Sequence, residues 1–163
     1  MEAEKQIIIN IARQWLELRC GSEVLLACAV STARNGLGEQ LGSECTPRGM
    51  HVIDEKIGAG CASGTVFVSR QPTGERYSPG LRAQFPERDW IITRILWLRG
   101  LEDGVNCGGE LDSKARYIYI HGAPEDVPMG EPGSRGCVRM RSADVMTLFD
   151  LVEVGTPVLI EES

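Results

Sequence analysis

Two stretches decide how this chain is read: RYIYIHG at residues 116–122 and SRGCVRM at residues 134–140. The first is dense in aromatic and β-branched residues, a composition suited to a pleated, half-buried surface, and reads as a strand ending in His121-Gly122. The second places Gly136 before Cys137, where the backbone can turn tightly, and reads as a loop. A strand end and a later loop thus bring one imidazole toward one thiol.

That pairing has a chemical use. The thiolate is the nucleophilic form of cysteine, and a thiol with the ordinary pKa of about 8.5 is only a few per cent ionised at neutral pH. An imidazole titrating near about 6.5 can take the proton, provided a third group accepts from its other nitrogen. Cys137 is therefore the candidate nucleophile and His121 the candidate base. The N–H groups of Gly136 and Cys137 can point at a developing oxyanion. Arg139 can grip a substrate carboxylate through two parallel N–H bonds, and Ser134 can hydrogen-bond either the turn or the substrate. Taken singly, a strand-end histidine is a structural hydrogen-bonder, a cysteine is a core residue and an arginine is a solvated charge. Together, each residue type meets a separate catalytic need, and the combination favours catalysis.

Outward from this centre, residues 90–98 (WIITRILWL) form the other strong strand candidate. Residues 6–12, 14–20 and 23–32 are rich in Ile, Val, Leu and Trp, with Gly21-Ser22 as a hairpin turn between the last two. Residues 33–49 are polar and glycine-rich and read as a surface loop, followed by short strands at 50–53 and 64–70. Residues 71–88 run for eighteen residues with three prolines and two glycines, either as a surface excursion or as a lid over a cleft. Helical periodicity is confined to Val145, Leu148, Phe149 and Val152, with Ser142 as N-cap and Asp144 complementing the helix dipole. Gly155-Thr156-Pro157 ends that helix and 158–160 form a last strand. The expectation is one domain over residues 1–163, mostly β with one helix in the C-terminal region.

Composition sets outer bounds. Hydrophobic residues make up 42% and charged residues 25%, the balance of a globular domain. A net charge of −6 works against nucleic acid and anionic membrane surfaces, which need clustered Lys and Arg. No stretch reaches the roughly twenty apolar residues of a membrane-spanning helix. The acidic opening shows no export signal, so the expected setting is cytoplasmic. Cys20, Cys28, Cys45, Cys61 and Cys107 are read as reduced, mostly buried small hydrophobes, and no spacing suggests a metal site. No cofactor is implied, and the oligomeric state is left open.

The pattern His-Gly, then Ser-x-Gly-Cys-x-Arg, then a helix and a Gly-Thr-Pro-Val strand resembles the L,D-transpeptidase catalytic domain (YkuD) family. The likeness extends upstream to Thr46-Pro47-Arg48-Gly49 and covers about residues 24–160. It implies a β-sandwich-like fold, Cys137 as nucleophile, His121 as base, and the carbonyl of Gly122 orienting the imidazole. Two residues depart from the pattern. Arg135 stands where many members have His, and His51 stands where an aromatic residue is common; His51 is read as a strand residue.

The resemblance further implies a peptidoglycan stem peptide as substrate, a thioester acyl-enzyme, loss of D-Ala, and acylation by carbapenems. Without an export signal, the expected activity is a cytoplasmic L,D-carboxypeptidase that trims soluble muropeptides during wall recycling. The alternatives are a transpeptidase that cross-links or exchanges D-amino acids, and a non-catalytic muropeptide sensor.

Overall fold

The hairpin expected at Gly21-Ser22 begins the sheet. In the computed structural model, which describes residues 4–163, β1 (Lys5–Asn10), β2 (Trp15–Cys20) and β3 (Glu23–Ala29) form an antiparallel meander. The first three residues, which open the acidic stretch behind the no-export expectation, lie outside the described residues. β1 also pairs in parallel with the last strand, β10 (Pro157–Glu161), with Ile7 opposite Val158 and Ile9 opposite Ile160. Alternation along β1 and β2 sends Ile7, Ile9, Leu16 and Leu18 fully inside.

β4 (Gly49–Ile57) joins β10 to β7 (Ile91–Gly100), the longest strand. Near its start β7 also pairs with β5 (Thr65–Val68), which carries β6 (Gln71–Arg76). On β7 lies β8 (Tyr119–Ala123), and on β8 in parallel lies β9 (Val138–Arg141). The strands make one continuous, curled ten-stranded sheet closed around a single main core, to which most strands and helix α2 (Ser142–Leu151) contribute. α2 lies across β7, β8 and β9 and buries Val145, Leu148 and Phe149 there. Each such side chain contributes about 1.5–3 kcal/mol through burial.

The structure corrects four expectations. Residues 71–88 are not an irregular loop: they form β6 and a short helix, α1 (Pro79–Gln84), capped by Ser78 Oγ accepting from Leu81 N. Tyr77 and Leu81 anchor this flap to Trp90, Val66 and Ile92. β4 runs four residues beyond the expected end at 53. His121 and Gly122 lie inside β8 rather than after it, because the strand runs from 119 to 123 and not from 116. Finally, Cys137 is followed at once by a strand, β9. Among the described residues, no helix is long and apolar enough to cross a membrane.

Candidate active site

The parallel pairing of β8 with β9 sets Ile120 opposite Val138 and His121 opposite Arg139. Because side chains alternate across a strand, Ile120 and Val138 enter the core while Tyr119 and His121 take the other face. Tyr119, His121 and Cys137 thereby line one cleft of about 550 Å³, with Arg70, Arg116 and Asp89 among its walls.

His121 is 1% exposed, and its Nδ1 lies 2.8 Å from the carbonyl oxygen of Gly122. A carbonyl can only accept, so Nδ1 carries the proton and Nε2 keeps its lone pair. Nε2 has no hydrogen-bond partner among the described residues. Gly122 is confined by its neighbours: a Cβ there would lie 2.4 Å from the carbonyl oxygen of Ile92 and 3.1 Å from Thr93 Cβ. Thr93 belongs to a bulge in β7 opposite His121 and Gly122, with a left-handed φ of 77°. Its Oγ1 is held by Ser142 Oγ at 2.7 Å and by Gly64 N at 3.0 Å. A strained bulge is thus pressed against the pair that orients the imidazole.

The Cys137 thiol donates to the Tyr117 carbonyl at 3.3 Å and accepts from Tyr119 N at 3.4 Å. Sulfur and imidazole share the cleft but are not hydrogen-bonded to each other in this arrangement, so the thiol must turn off Tyr117 to meet Nε2. Burial pushes the thiol up to about 12, with Asp89 adding to the rise and Tyr119 N–H, Arg116 and Arg139 opposing it. Burial also lowers the His121 pKa, and Arg139 lowers it further against the pull of Asp89 and the Gly122 hydrogen bond. Both shifts favour the neutral thiol and the neutral imidazole over the thiolate–imidazolium pair.

The turn before the sulfur is tied from several sides. Ser134 Oγ donates to the Cys137 carbonyl at 2.6 Å and accepts from Gly136 N at 3.2 Å. Thr46 Oγ1 donates to the Gly136 carbonyl at 2.9 Å. Gly136 has φ 129°, and a Cβ there would lie 3.2 Å from the Cys45 carbonyl oxygen. Of the two uses open to the Ser134 hydroxyl, its proton serves the turn. The Gly136 N–H is committed to Ser134, which leaves the Cys137 N–H as the uncommitted amide of the expected oxyanion pair.

A family model described as the L,D-transpeptidase catalytic domain, YkuD, matches residues 4–160. The chain belongs to this family. Solved structures agree on the fold. An L,D-transpeptidase from Xylanimonas cellulosilytica is 20% identical with a TM-score of 0.62, covering 99% of this chain and 62% of the other. One from Mycobacterium smegmatis is 21% identical with a TM-score of 0.56, covering 98% and 59%. L,D-transpeptidase 3 from Mycobacterium tuberculosis is 15% identical with a TM-score of 0.61, covering 98% and 62%. The chain spans about three fifths of the length of these structures. No curated protein matches the chain significantly.

In this YkuD domain Arg135 is exposed at the cleft mouth, where many members have His. Arg139 is half-buried and donates to Ser31 Oγ at 2.9 Å. His51, on β4, is buried and bonded on both nitrogens, to the Gly49 carbonyl and Ser113 Oγ, as a strand residue. Of the other cysteines only Cys28 is buried, and Cys20, Cys45, Cys61 and Cys107 are half-buried, less enclosed than expected. Among the described residues no cluster of His, Cys, Asp and Glu is placed to hold a metal ion.

Three cleft residues escaped the sequence reading. Tyr119 carried a signal, since it sits two positions before His121 on the same strand face. Arg116 donates to the Cys45 carbonyl at 2.7 Å, and its positive charge opposes the rise of the Cys137 pKa. Asp89 acts electrostatically on His121, Cys137 and Arg139 together, and nothing in its sequence context pointed to the cleft.

Proposed function

We propose that this YkuD domain is a cysteine L,D-carboxypeptidase acting on peptidoglycan tetrapeptide stems, with Cys137 as nucleophile and His121 as general base. The observation that carries the reading is the tautomer of His121: Nδ1–H is held by the Gly122 carbonyl, which leaves a basic Nε2 in the cleft that Cys137 lines.

The thiol rotates off Tyr117, gives its proton to Nε2 and attacks the carbonyl of the diamino acid. The Cys137 N–H steadies the oxyanion; such a donor is worth about 10²–10³ in rate. His121 returns the proton to the departing D-Ala amine, and a thioester remains. Water, deprotonated by the same imidazole, then releases the tripeptide. The neutral pair that both shifts favour suits this sequence, because the proton moves only as the new bond forms. Arg139 and Arg135 supply positive charge for substrate carboxylates. The setting proposed is the cytoplasm, with soluble muropeptides as substrates.

A second reading is transpeptidation, in which an amine from another stem resolves the thioester; it is favoured by the likeness to structures that are themselves L,D-transpeptidases. Incubation with a disaccharide tetrapeptide and mass analysis of products separates the two. Tripeptide is the expected product. Dimers or D-amino-acid exchange without tripeptide would overturn the hydrolase reading. A Cys137→Ala protein that still binds muropeptide, in a cell whose response is unaltered by that change, would reveal a sensor instead.

A further inference from the structure

The ladder between β7 and β8 breaks step beside the imidazole. Ile92 lies opposite Gly122 and Ile95 opposite His121, so Thr93 and Arg94 together occupy a place where β8 offers no residue. Thr93 has a φ of 77°, in the left-handed region, which a β-branched residue adopts only where its surroundings force it. Those surroundings grip it at both ends. Arg94 Nη1 donates to the Thr93 carbonyl at 2.7 Å and to the Cys61 carbonyl at 2.9 Å. The Thr93 hydroxyl accepts from Gly64 N at 3.0 Å and is hydrogen-bonded to Ser142 Oγ at 2.7 Å. Gly58, at φ 102°, leaves the room this needs, since a Cβ there would lie 3.2 Å from the Thr93 carbonyl oxygen and 3.5 Å from Arg94 Cδ.

Arg94 is a costly way to tie a turn. It is 6% exposed, forms no ion pair among the described residues, and its Nε has no acceptor. A guanidinium taken out of water without a carboxylate is destabilising, and an apolar side chain of similar volume would remove that cost. What Arg94 supplies in return is a charged donor fixed on the Thr93 carbonyl. Ser142 is committed to the same residue. Expected as the N-cap of α2, it is instead the first residue of the helix, with Arg141 at the cap position and no side-chain cap, and its hydroxyl goes to Thr93.

The clamped bulge is the surface on which Gly122 rests. With a Cβ excluded at 2.4 Å from the Ile92 carbonyl oxygen and 3.1 Å from Thr93 Cβ, Gly122 is set by the bulge, and its carbonyl in turn accepts His121 Nδ1–H at 2.8 Å. Thr93, Arg94 and Ser142 do not line the thiol cleft, so they reach the reaction through Gly122 and His121.

We propose that Arg94 and Ser142 are positioning residues for the general base: by clamping Thr93 they hold the β7 bulge against Gly122 and so fix the carbonyl that keeps the proton on His121 Nδ1. The inference rests on the reading of His121 as base and makes its tautomer depend on residues outside the cleft. The tautomer of an imidazole follows the hydrogen bond at its other nitrogen. A Gly122 carbonyl free to turn lets the proton pass to Nε2, where the ring can no longer accept from the thiol.

The test uses the full chain labelled with ¹⁵N, at a pH where both imidazoles are neutral, because ring-nitrogen shifts distinguish the two neutral tautomers. His51, the other of the two histidines, lies opposite Gly100 at the far end of β7 and serves as the internal reference. In Arg94→Met, which keeps a side chain of similar reach and removes the donors, His121 should become a mixture of tautomers while His51 is unmoved. Release of D-Ala from a disaccharide tetrapeptide, the step shared by hydrolysis and transpeptidation, should fall about tenfold or more in kcat, part of the worth of a general base, with KM within about twofold. Arg94→Lys, which returns a charged donor, should restore the Nδ1–H tautomer and most of the rate. Ser142→Ala should act in the same direction as Arg94→Met to a smaller extent, and it stands in if Arg94→Met does not fold. Tautomer and kcat both untouched in the folded variant overturn the proposal. So does a fall in kcat with the tautomer intact, which would leave Arg94 a structural tie. A mixed tautomer with full kcat would uphold the clamp and sink the reading of His121 as base.

Discussion

The two histidines of this chain are alike in almost everything except outcome. His51 on β4 and His121 on β8 are both buried, and each donates Nδ1–H to a nearby main-chain carbonyl, of Gly49 and of Gly122. Burial lowers the pKa of both. They part at the other nitrogen. His51 Nε2 accepts from Ser113 Oγ at 2.8 Å and is closed off, whereas His121 Nε2 has no hydrogen-bond partner among the described residues and its residue lines the cleft. Burial and a fixed tautomer therefore make a rigid imidazole, and only an unoccupied lone pair beside a nucleophile makes a base.

That contrast is most exposed to a paired substitution. His121→Gln should lower kcat by about 10²–10⁴, the usual worth of general base catalysis, with the melting temperature nearly unchanged. His51→Ala should leave kcat within a few-fold and instead cost about 1–3 kcal/mol of stability by orphaning Ser113. Steady-state kinetics and thermal melts on both proteins check this, and a His51 variant as inactive as the His121 variant would erase the distinction.

The carbonyl that orients His121 offers a sharper cut. Gly122→Ala drives a Cβ against the Ile92 carbonyl, and overpacking of this kind costs about 1–3 kcal/mol. The strand must yield, so activity should fall further than the loss of stability alone accounts for. A Gly122→Ala protein with normal kcat would show that the imidazole does not depend on this contact.

Acid should weaken the fold through both histidines. Their folded-state pKa values lie below the unfolded one, so as pH falls through about 6.5 the unfolded chain takes up protons that the folded chain refuses. Stability present above that pH is lost below it, and melts between pH 7 and pH 5 should show a shallower decline in His121→Gln than in the parent. The thiols work at the other end. Cys28 and Cys137 are both pushed up to about 12, so stability declines as pH rises above about 9, where the unfolded thiols ionise first.

The smallest expected effect concerns Asp89, which favours imidazolium at His121 and opposes thiolate at Cys137. Asp89→Asn should move the acid limb of the rate profile and the pH dependence of Cys137 alkylation both toward lower pH, with the maximal rate changed only a few-fold. Shifts in opposite directions would mean that Asp89 does not act on the two groups as a common charge.

The sequence was most legible where chemistry is local. Cys137, His121 and the turn glycine Gly136 stood out because each residue type answers one chemical need, and the period of Val145, Leu148 and Phe149 marked α2. It was least legible at residues 71–88. The two-residue turn of the β5–β6 hairpin is Ser69-Arg70, both at positive φ, without the Asn-Gly signal that marks such turns, and α1 is too short to show a period. The whole segment therefore read as a loop.

By itself the sequence determined the class of the domain and singled out its candidate nucleophile and base, because side-chain type and spacing along one strand or helix carry that information. Only the tertiary structure decided that β1 lies against β10, that β9 runs parallel to β8, and that the Gly136 amide is taken by Ser134. It alone brought Asp89 into the wall of the cleft that Cys137 lines. These are meetings of residues far apart in the chain, set by how the sheet curls around its core, and no local pattern of residues encodes them.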